Sequence, residues 1–298
     1  MRVSVALAVA LYGASVSAAP LRVGSKADTE SVILGELCTR LLRASGVEAE
    51  YRRDLNGGTQ VVWRALQRGD IDLYPEYTGT LARDLLHDPS LVTVAALRAR
   101  LAPMGLGLSE PLGFANNYAL GMSRDRAQAL DTHRISDLVG HPELRLGFSH
   151  EFLDRPDGFP SLRARYGLPQ TSVTGLDHDI EYRSLAEGST DVVDLYTTDP
   201  EIEYHHLAVL DDDRRHFPTY ESVVLYRANV SPAARDAFAR LVGRITQAEM
   251  TRMNGRARVY KDHEGLIAAR FLRERLHVSA GDGLRGGRLH PVWTRTVE

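Results

Sequence analysis

One cysteine, Cys38, in 298 residues leaves no internal disulfide to form, so packing alone must hold this chain together. An excess of either charge is also missing. With 36 basic and 39 acidic side chains and a net charge of −3, the sequence has no basic footprint for nucleic acid. No HExxH, CxxC or GxSxG occurs, which removes the common local signatures of metalloprotease, redox and serine hydrolase chemistry. The histidines are scattered. His205 and His206 are adjacent and would point to opposite faces of a strand, and Asp177-His178-Asp179 has no partner that the sequence can name. Asp211-Asp212-Asp213 runs consecutively, unlike the alternating acids of a calcium loop, and two arginines follow it. Gly281 to Gly286 spells the dinucleotide fingerprint with no apolar strand before it and too little chain after it for a βαβ unit. No metal, no cofactor and no catalysis are expected.

What is present begins with an export signal. Arg2, an apolar run from Val3 to Leu11 and small residues from Ala14 to Ala19 read as a cleaved secretory peptide, residues 1–18, too short to span a membrane. No cysteine stands at the cleavage site, so a soluble, unlipidated periplasmic protein is expected.

The mature chain is organised around Gly69 to Thr80, GDIDLYPEYTGT. Ile71 and Leu73 announce a strand, Pro75 is expected to end it at Tyr74, and the Tyr-Thr-Gly-Thr turn would then stand at the carboxyl end of a sheet, where open α/β sheets bind ligands. Tyr77 is a candidate contact on position alone. The same sentence recurs: Leu66-x-x-Gly69-x-x-Asp72 with Tyr77-Thr78 matches Leu185-x-x-Gly188-x-x-Asp191 with Tyr196-Thr197, and LRVG at 21–24 matches LRLG at 144–147. Two related α/β half-domains follow from this repeat.

Within the first copy, Ile33, Leu34, Leu37, Leu41 and Ala44 fall at helical spacing, with Asp28 or Thr29 to cap and Gly46 to close. The helix's free N-H groups beside Lys26 make an anion seat; a solvated surface lysine is the plainer alternative. Thr59 is expected to cap the next helix. Ser231-Pro232 opens what reads as one long helix through Phe238, Leu241, Ile245 and Met253. The expected lobes are 19–121 with 222–278, and 122–221, with crossings around Tyr118 to Met122 and Glu221 to Arg227, followed by a weakly structured tail, 279–298.

The motifs GSKADTESVILGE, NGGT, ALQRGDIDLYPEYTGT, NNYAL, ISDL, EFLDRPDG, DLYTTD and HFPTYES, in that order, resemble the substrate-binding proteins of osmoprotectant ABC importers, the glycine betaine/carnitine/choline-binding family. The likeness covers about Leu21 to Phe271. It implies a type II periplasmic binding protein fold, two α/β lobes joined by two crossing segments, and a monomer that hands a quaternary ammonium ligand to inner-membrane permease subunits. It also implies an aromatic cage of Tyr77, Tyr118, Tyr196 and Tyr220, where packing would be the ordinary role of a tyrosine. Lys26, Thr80 and Arg155 would hold a ligand carboxylate, so carboxylated betaines should bind better than choline. The sequence departs from the family at Asp28, where an aromatic is usual; an acid there could pair with Lys26. Ergothioneine, carnitine or choline stay open as ligands, and a two-lobed enzyme of the porphobilinogen deaminase type, its cofactor on Cys38, is the reading from another class.

Overall fold

The computed structural model describes residues 19–55, 58–155 and 158–279. The expected signal peptide, the glycine-rich Gly281 to Gly286 stretch and the tail from 280 onward lie outside the described residues.

Among the described residues ten strands form two five-stranded sheets. In the first, β1 (Leu21–Gly24), β2 (Ala49–Arg52), β3 (Leu73–Tyr77), β4 (Leu106–Leu108) and β10 (Ser222–Arg227) lie in the order β2-β1-β3-β10-β4. The second contains β5 (Tyr118–Ser123), β6 (Leu146–Ser149), β7 (Val173–Leu176), β8 (Val192–Tyr196) and β9 (Leu207–Leu210), in the order β7-β6-β8-β5-β9. Each sheet is parallel except where the strand that has just crossed from the other lobe enters it. β10 runs antiparallel to β3 and β4, and β5 antiparallel to β8 and β9.

The helix α1 (Thr29–Ala44) buries Ile33, Leu34, Leu37, Cys38, Leu41 and Leu42 completely against the first sheet and the helices behind it. Spacing of three and four residues puts these side chains on one broad face, and burying each Leu or Ile contributes roughly 1.5–3 kcal/mol relative to exposure. Asp28 caps it, accepting from Ser31 N at 2.9 Å. Helix α2 (Thr59–Arg68) begins one residue earlier than expected: its cap is Gly58, with Thr59 as the first helical residue, and Gly69 ends it at φ +79°. Gly188 takes φ +68° at the matching place in the second lobe, a left-handed turn that glycine adopts without steric cost.

The repeat is a repeat of hydrogen bonds. Asp72 Oδ2 accepts from the backbone N and the Nε of Arg22 at 2.8 and 3.1 Å, and Oδ1 from Nη2 at 3.1 Å. Asp191 makes the same three bonds to Arg145 at 2.9, 2.9 and 3.1 Å. Each aspartate thereby satisfies an N-H at the start of the strand that carries LRVG or LRLG. The threonines are matched as well. Thr78 N donates to Glu221 O and Thr78 Oγ1 accepts from Glu221 N, both at 3.0 Å. Thr197 N donates to Asn117 O at 2.9 Å, and Thr197 Oγ1 accepts from Asn117 N at 3.0 Å. In each lobe the residue after the repeat tyrosine clasps one crossing segment.

The two crossings also clasp each other. Leu112 N bonds Ser222 O, Ser222 N bonds Phe114 O and Asn116 N bonds Tyr220 O, at 2.8 to 3.1 Å, with Ala115 bridged to Glu221. The crossings are therefore the segments just before β5 and β10. The expected boundary at 121/122 cuts through β5, all of which pairs within the second sheet.

Two further expectations need correction. Pro75 does not end its strand: β3 continues to Tyr77, with Pro75 opposite Val224 of β10. Val224 directs its N-H and C=O away from β3, to Ser109 Oγ and Ser109 N at 2.8 and 2.9 Å. The Pro75–Val224 pair is thus a non-hydrogen-bonded one, and the proline's missing donor falls on the β1 side, beyond that ladder's Val23–Leu73 pair. The long helix after Ser231 is two, Pro232–Ala239 and Gln247–Arg258, because Thr246 and Glu249 form a capping box that starts a new helix.

Because the two aspartate clamps are alike, Asp72→Ala and Asp191→Ala should each lower stability by about 1 kcal/mol, the usual net contribution of such bonds. Urea denaturation of the two variants checks this; a clear loss at one site and none at the other would show that the clamps are not equivalent.

Candidate functional site

The lobes face each other across a cleft of about 1500 Å³. Lys26, Tyr77, Thr80, Tyr118, Arg155, Tyr196 and Tyr220 all line it. They arrive from the loop after β1, from the end of β3 and the turn that follows it, from the first residue of β5, from the end of the helical turn His150–Asp154, from the last residue of β8 and from the second crossing. That convergence on one cavity follows from the topology, since β3 and β8 are the inner parallel strands of their sheets and both end at the crossings.

Tyr118 is the centre of the aromatic wall. Its ring centroid is 4.8 Å from Tyr196, 6.1 Å from Tyr220 in an edge-on arrangement, and 5.3 and 6.2 Å from Phe152 and Phe217. Its hydroxyl is 3.1 Å from that of Tyr196. Burial raises the phenols of Tyr77, Tyr118 and Tyr196 far above their ordinary range, so all are neutral. Among the described residues no ring contact joins Tyr77 to the other three; it stands on β3, in the opposing lobe from Tyr118 and Tyr196. Gly79 is required by this wall, because a Cβ there would lie 2.5 Å from Cδ1 of Tyr220.

Each cation of the cleft assigned by resemblance is engaged. Lys26 Nζ lies 5.2 Å from the centroid of Tyr77 and 2.5 Å from Oε1 of Glu76, which is completely buried. Burial raises the Glu76 carboxyl and the Lys26 ammonium lowers it. Asp28 is therefore not the partner of Lys26; its carboxylate turns back to cap α1, whose first-turn N-H groups attract it. Arg155 Nη1 donates to Asp84 Oδ2 of the other lobe at 2.8 Å and to Glu151 Oε1 at 3.3 Å, while Nη2 reaches Tyr220 Oη at 3.4 Å. Its guanidinium carbon is 5.5 Å from the centroid of Tyr118.

Several residues of the site escaped the sequence reading. Phe152 and Phe217 were visible only as letters within EFLDRPDG and HFPTYES. Glu30 accepts from the Tyr77 hydroxyl, from Asn116 Nδ2 at 3.1 Å and from Asn254 Nδ2 at 2.7 Å, joining β3, the first crossing and a C-terminal helix. Asp84 gave no signal, being 71 residues from Arg155 in sequence. His178, which had lacked nameable partners, lies against Tyr196 with centroids 4.8 Å apart and bonds Asp199 Oδ2 at 3.0 Å. Its Nδ1 is 3.2 Å from Glu181 Oε2. Burial pulls the imidazole down, but Asp199 and Glu181 outweigh it and leave the group at about 10, an imidazolium. His178, Glu181 and Asp194 bring donor atoms within 4.8 Å of one another. Burial pushes Glu181 to about 8, so this cluster holds a proton that the two carboxyls can share.

Cys38 is wholly buried in α1 and burial pushes its thiol up to about 12, which removes the nucleophile that the deaminase-type reading required.

Two sheets of this order, closing on one cleft from opposite sides, define a two-lobed binding protein of the type II periplasmic class. Residues 19–274 match the family described as the substrate binding domain of an ABC-type glycine betaine transport system, and the chain belongs to that family. It is 32% identical over 267 residues to an ergothioneine transport permease/ergothioneine binding protein of Helicobacter pylori, covering 86% of this chain and 48% of that one. It is 30% identical over 286 residues to a glycine-betaine-binding protein of Pseudomonas aeruginosa, covering 90% and 91%. The chain thus spans about half the length of the first of these relatives and nearly all of the second. Among solved structures, a glycine betaine/carnitine/choline ABC transporter protein superposes with a TM-score of 0.77 at 24% identity, over 86% of this chain and 99% of that one. None of the described helices is long and apolar enough to cross a membrane.

Glu30 links this site to pH. Burial, the dominant effect, raises its carboxyl from 4.5 to about 7 against the lowering bonds of Tyr77, Thr198 and Asn254. The native state then holds a proton that the unfolded state has released, and stability falls as pH rises from about 4.5 to about 7. Glu30→Gln should remove this component, so the difference in unfolding free energy between variant and wild type should change across that window; a constant difference from pH 4.5 to 7.5 would contradict it.

Proposed function

We propose that this protein is the periplasmic receptor of an ABC importer, binding a quaternary ammonium osmoprotectant of the glycine betaine type. The observation that carries this reading is the wall of Tyr118, Tyr196 and Tyr220 facing Tyr77 of the other lobe across one cleft. A trimethylammonium group has no N-H to donate, so electron-rich ring faces are its natural partners. Each ring contributes about 0.5 to 2 kcal/mol, and four give roughly 2 to 8. Association costs about 4 kcal/mol or more, so the cage needs lobe closure and a second anchor. Arg155, beside Tyr118, is that anchor for a carboxylate, with Lys26 and Thr80 on the facing wall. Ligand touching both lobes supplies the differential affinity that closes them. Presentation to permease subunits, export by a cleaved signal without a lipid anchor, and a monomeric state belong to the same proposal.

The relative at 32% identity supports ergothioneine as a second reading. It too carries a trimethylammonium head, and the cleft extends past the cage along His178, Tyr182 and Arg258, with room for a larger body.

Calorimetric titration with glycine betaine and ergothioneine tests the proposal. Tyr→Ala at positions 77, 118, 196 and 220 should each weaken binding by about 1 kcal/mol or more with the fold intact by circular dichroism, and Tyr→Phe should cost less because the ring face remains. Wild-type affinity in two or more of the alanine variants would overturn the cage.

A further inference from the structure

The Arg155–Asp84 pair joins the two lobes. Arg155 follows the helical turn His150–Asp154 of the second lobe, and Asp84 lies in the helical turn Leu81–Leu85 that continues from Tyr-Thr-Gly-Thr in the first. Both line the cleft. The Arg155 and Asp84 side chains are only 13% and 24% exposed, whereas Glu151, the other carboxylate on the same Nη1, is 60% exposed. Solvent screens the Glu151 contact far more than the Asp84 contact, so of these two acids Asp84 holds the guanidinium more firmly. The guanidinium in turn lies over the ring of Tyr118, the centre of the aromatic wall.

We propose that Asp84 is a specificity-determining residue, which competes with a ligand carboxylate for Arg155 and so sets the balance between carboxylated and uncarboxylated quaternary ammonium ligands. The inference rests on the quaternary ammonium reading above. A carboxylate that enters beside Tyr118 meets a fork whose Nη1 is already engaged by an anion at 2.8 Å. It must displace Asp84 or share the cation with it, and two carboxylates on one guanidinium repel. Choline carries no carboxylate and leaves the pair intact. Asp84 therefore acts against betaines and not against choline. Lys26 does not restore the difference, because Glu76 neutralises it within the first lobe.

The test is a titration of wild type, Asp84→Asn, Asp84→Ala and Asp84→Asn combined with Arg155→Gln against glycine betaine and choline. The ratio of the choline Kd to the betaine Kd should rise at least about fivefold in both single variants, the scale of one charged hydrogen bond partly recovered. It should not rise in the double variant, since the gain acts through Arg155. An unchanged ratio, with both ligands shifting together, would make the pair a plain interlobe latch and overturn the inference. So would a lowered ratio, which would mean that Asp84 positions Arg155 for the carboxylate. If wild type binds neither ligand, the quaternary ammonium reading itself fails and takes this inference with it, an outcome distinguished by the absence of heat with wild type as well as variants.

Discussion

The threonine clasp is the interaction on which the geometry of this protein depends. Each lobe is organised on its own five-stranded sheet, but a cleft between two lobes needs their crossings held at fixed places. Thr78 and Thr197 do this identically, each donating its N-H to a crossing carbonyl and accepting the crossing N-H on its hydroxyl. Because each follows the last residue of an inner strand, the tyrosine before it is delivered to the cleft at the same height in both lobes. Alanine in place of either threonine would retain the donor and lose the acceptor, orphaning an N-H where the two lobes meet. The crossings, bonded to one another as a short antiparallel ribbon, leave bending across the ribbon as the soft motion and resist sliding of one lobe past the other.

Three cations of the cleft stand beside acids. Lys26 meets Glu76, Arg155 meets Asp84, and His178 stands between Asp199 and Glu181. Desolvating a lone cation is expensive, so a cleft that closes over a small ligand gains by supplying each cation with an acid beforehand. The consequence is that an anionic group on a ligand enters an exchange of partners. The rings hold no acid to exchange, but Lys26 and Arg155 already lie over the faces of Tyr77 and Tyr118, so a cationic head entering the cage meets those two cations first.

Much of this was legible in the letters. The duplicated Leu-x-x-Gly-x-x-Asp with Tyr-Thr gave two lobes because each letter has a local job: glycine for a left-handed turn, aspartate for a strand-start N-H, threonine for the crossing. All seven expected site residues reached one cleft. The failures have physical reasons. Pro75 was read as a strand stop because a missing donor is costly inside a ladder, yet pairing alternates, and the sequence cannot say on which side of a strand the ladder has run out. The helix after Ser231 was drawn too long because apolar spacing outweighed Thr246-x-x-Glu249, a capping signal that was in plain view. Asp28 is near Lys26 in sequence, but Glu76 is near it in space because β1 and β3 are neighbours in the sheet, and chain order alone does not show which acid the lysine meets. Pairs such as Asp84 with Arg155 belong to tertiary structure alone.

The single thiol has a consequence of another kind. Cys38 is sealed in the packed face of α1 and burial pushes its thiol up to about 12, so the folded protein offers no accessible thiolate to a second copy or to a maleimide. Toward thiol reagents the folded molecule should resemble one without cysteine. A pair of cysteines introduced at exposed sites on opposite lobes would be the sole reactive positions, and a dye pair attached there would report interlobe distance in a background that needs no prior removal of the native residue.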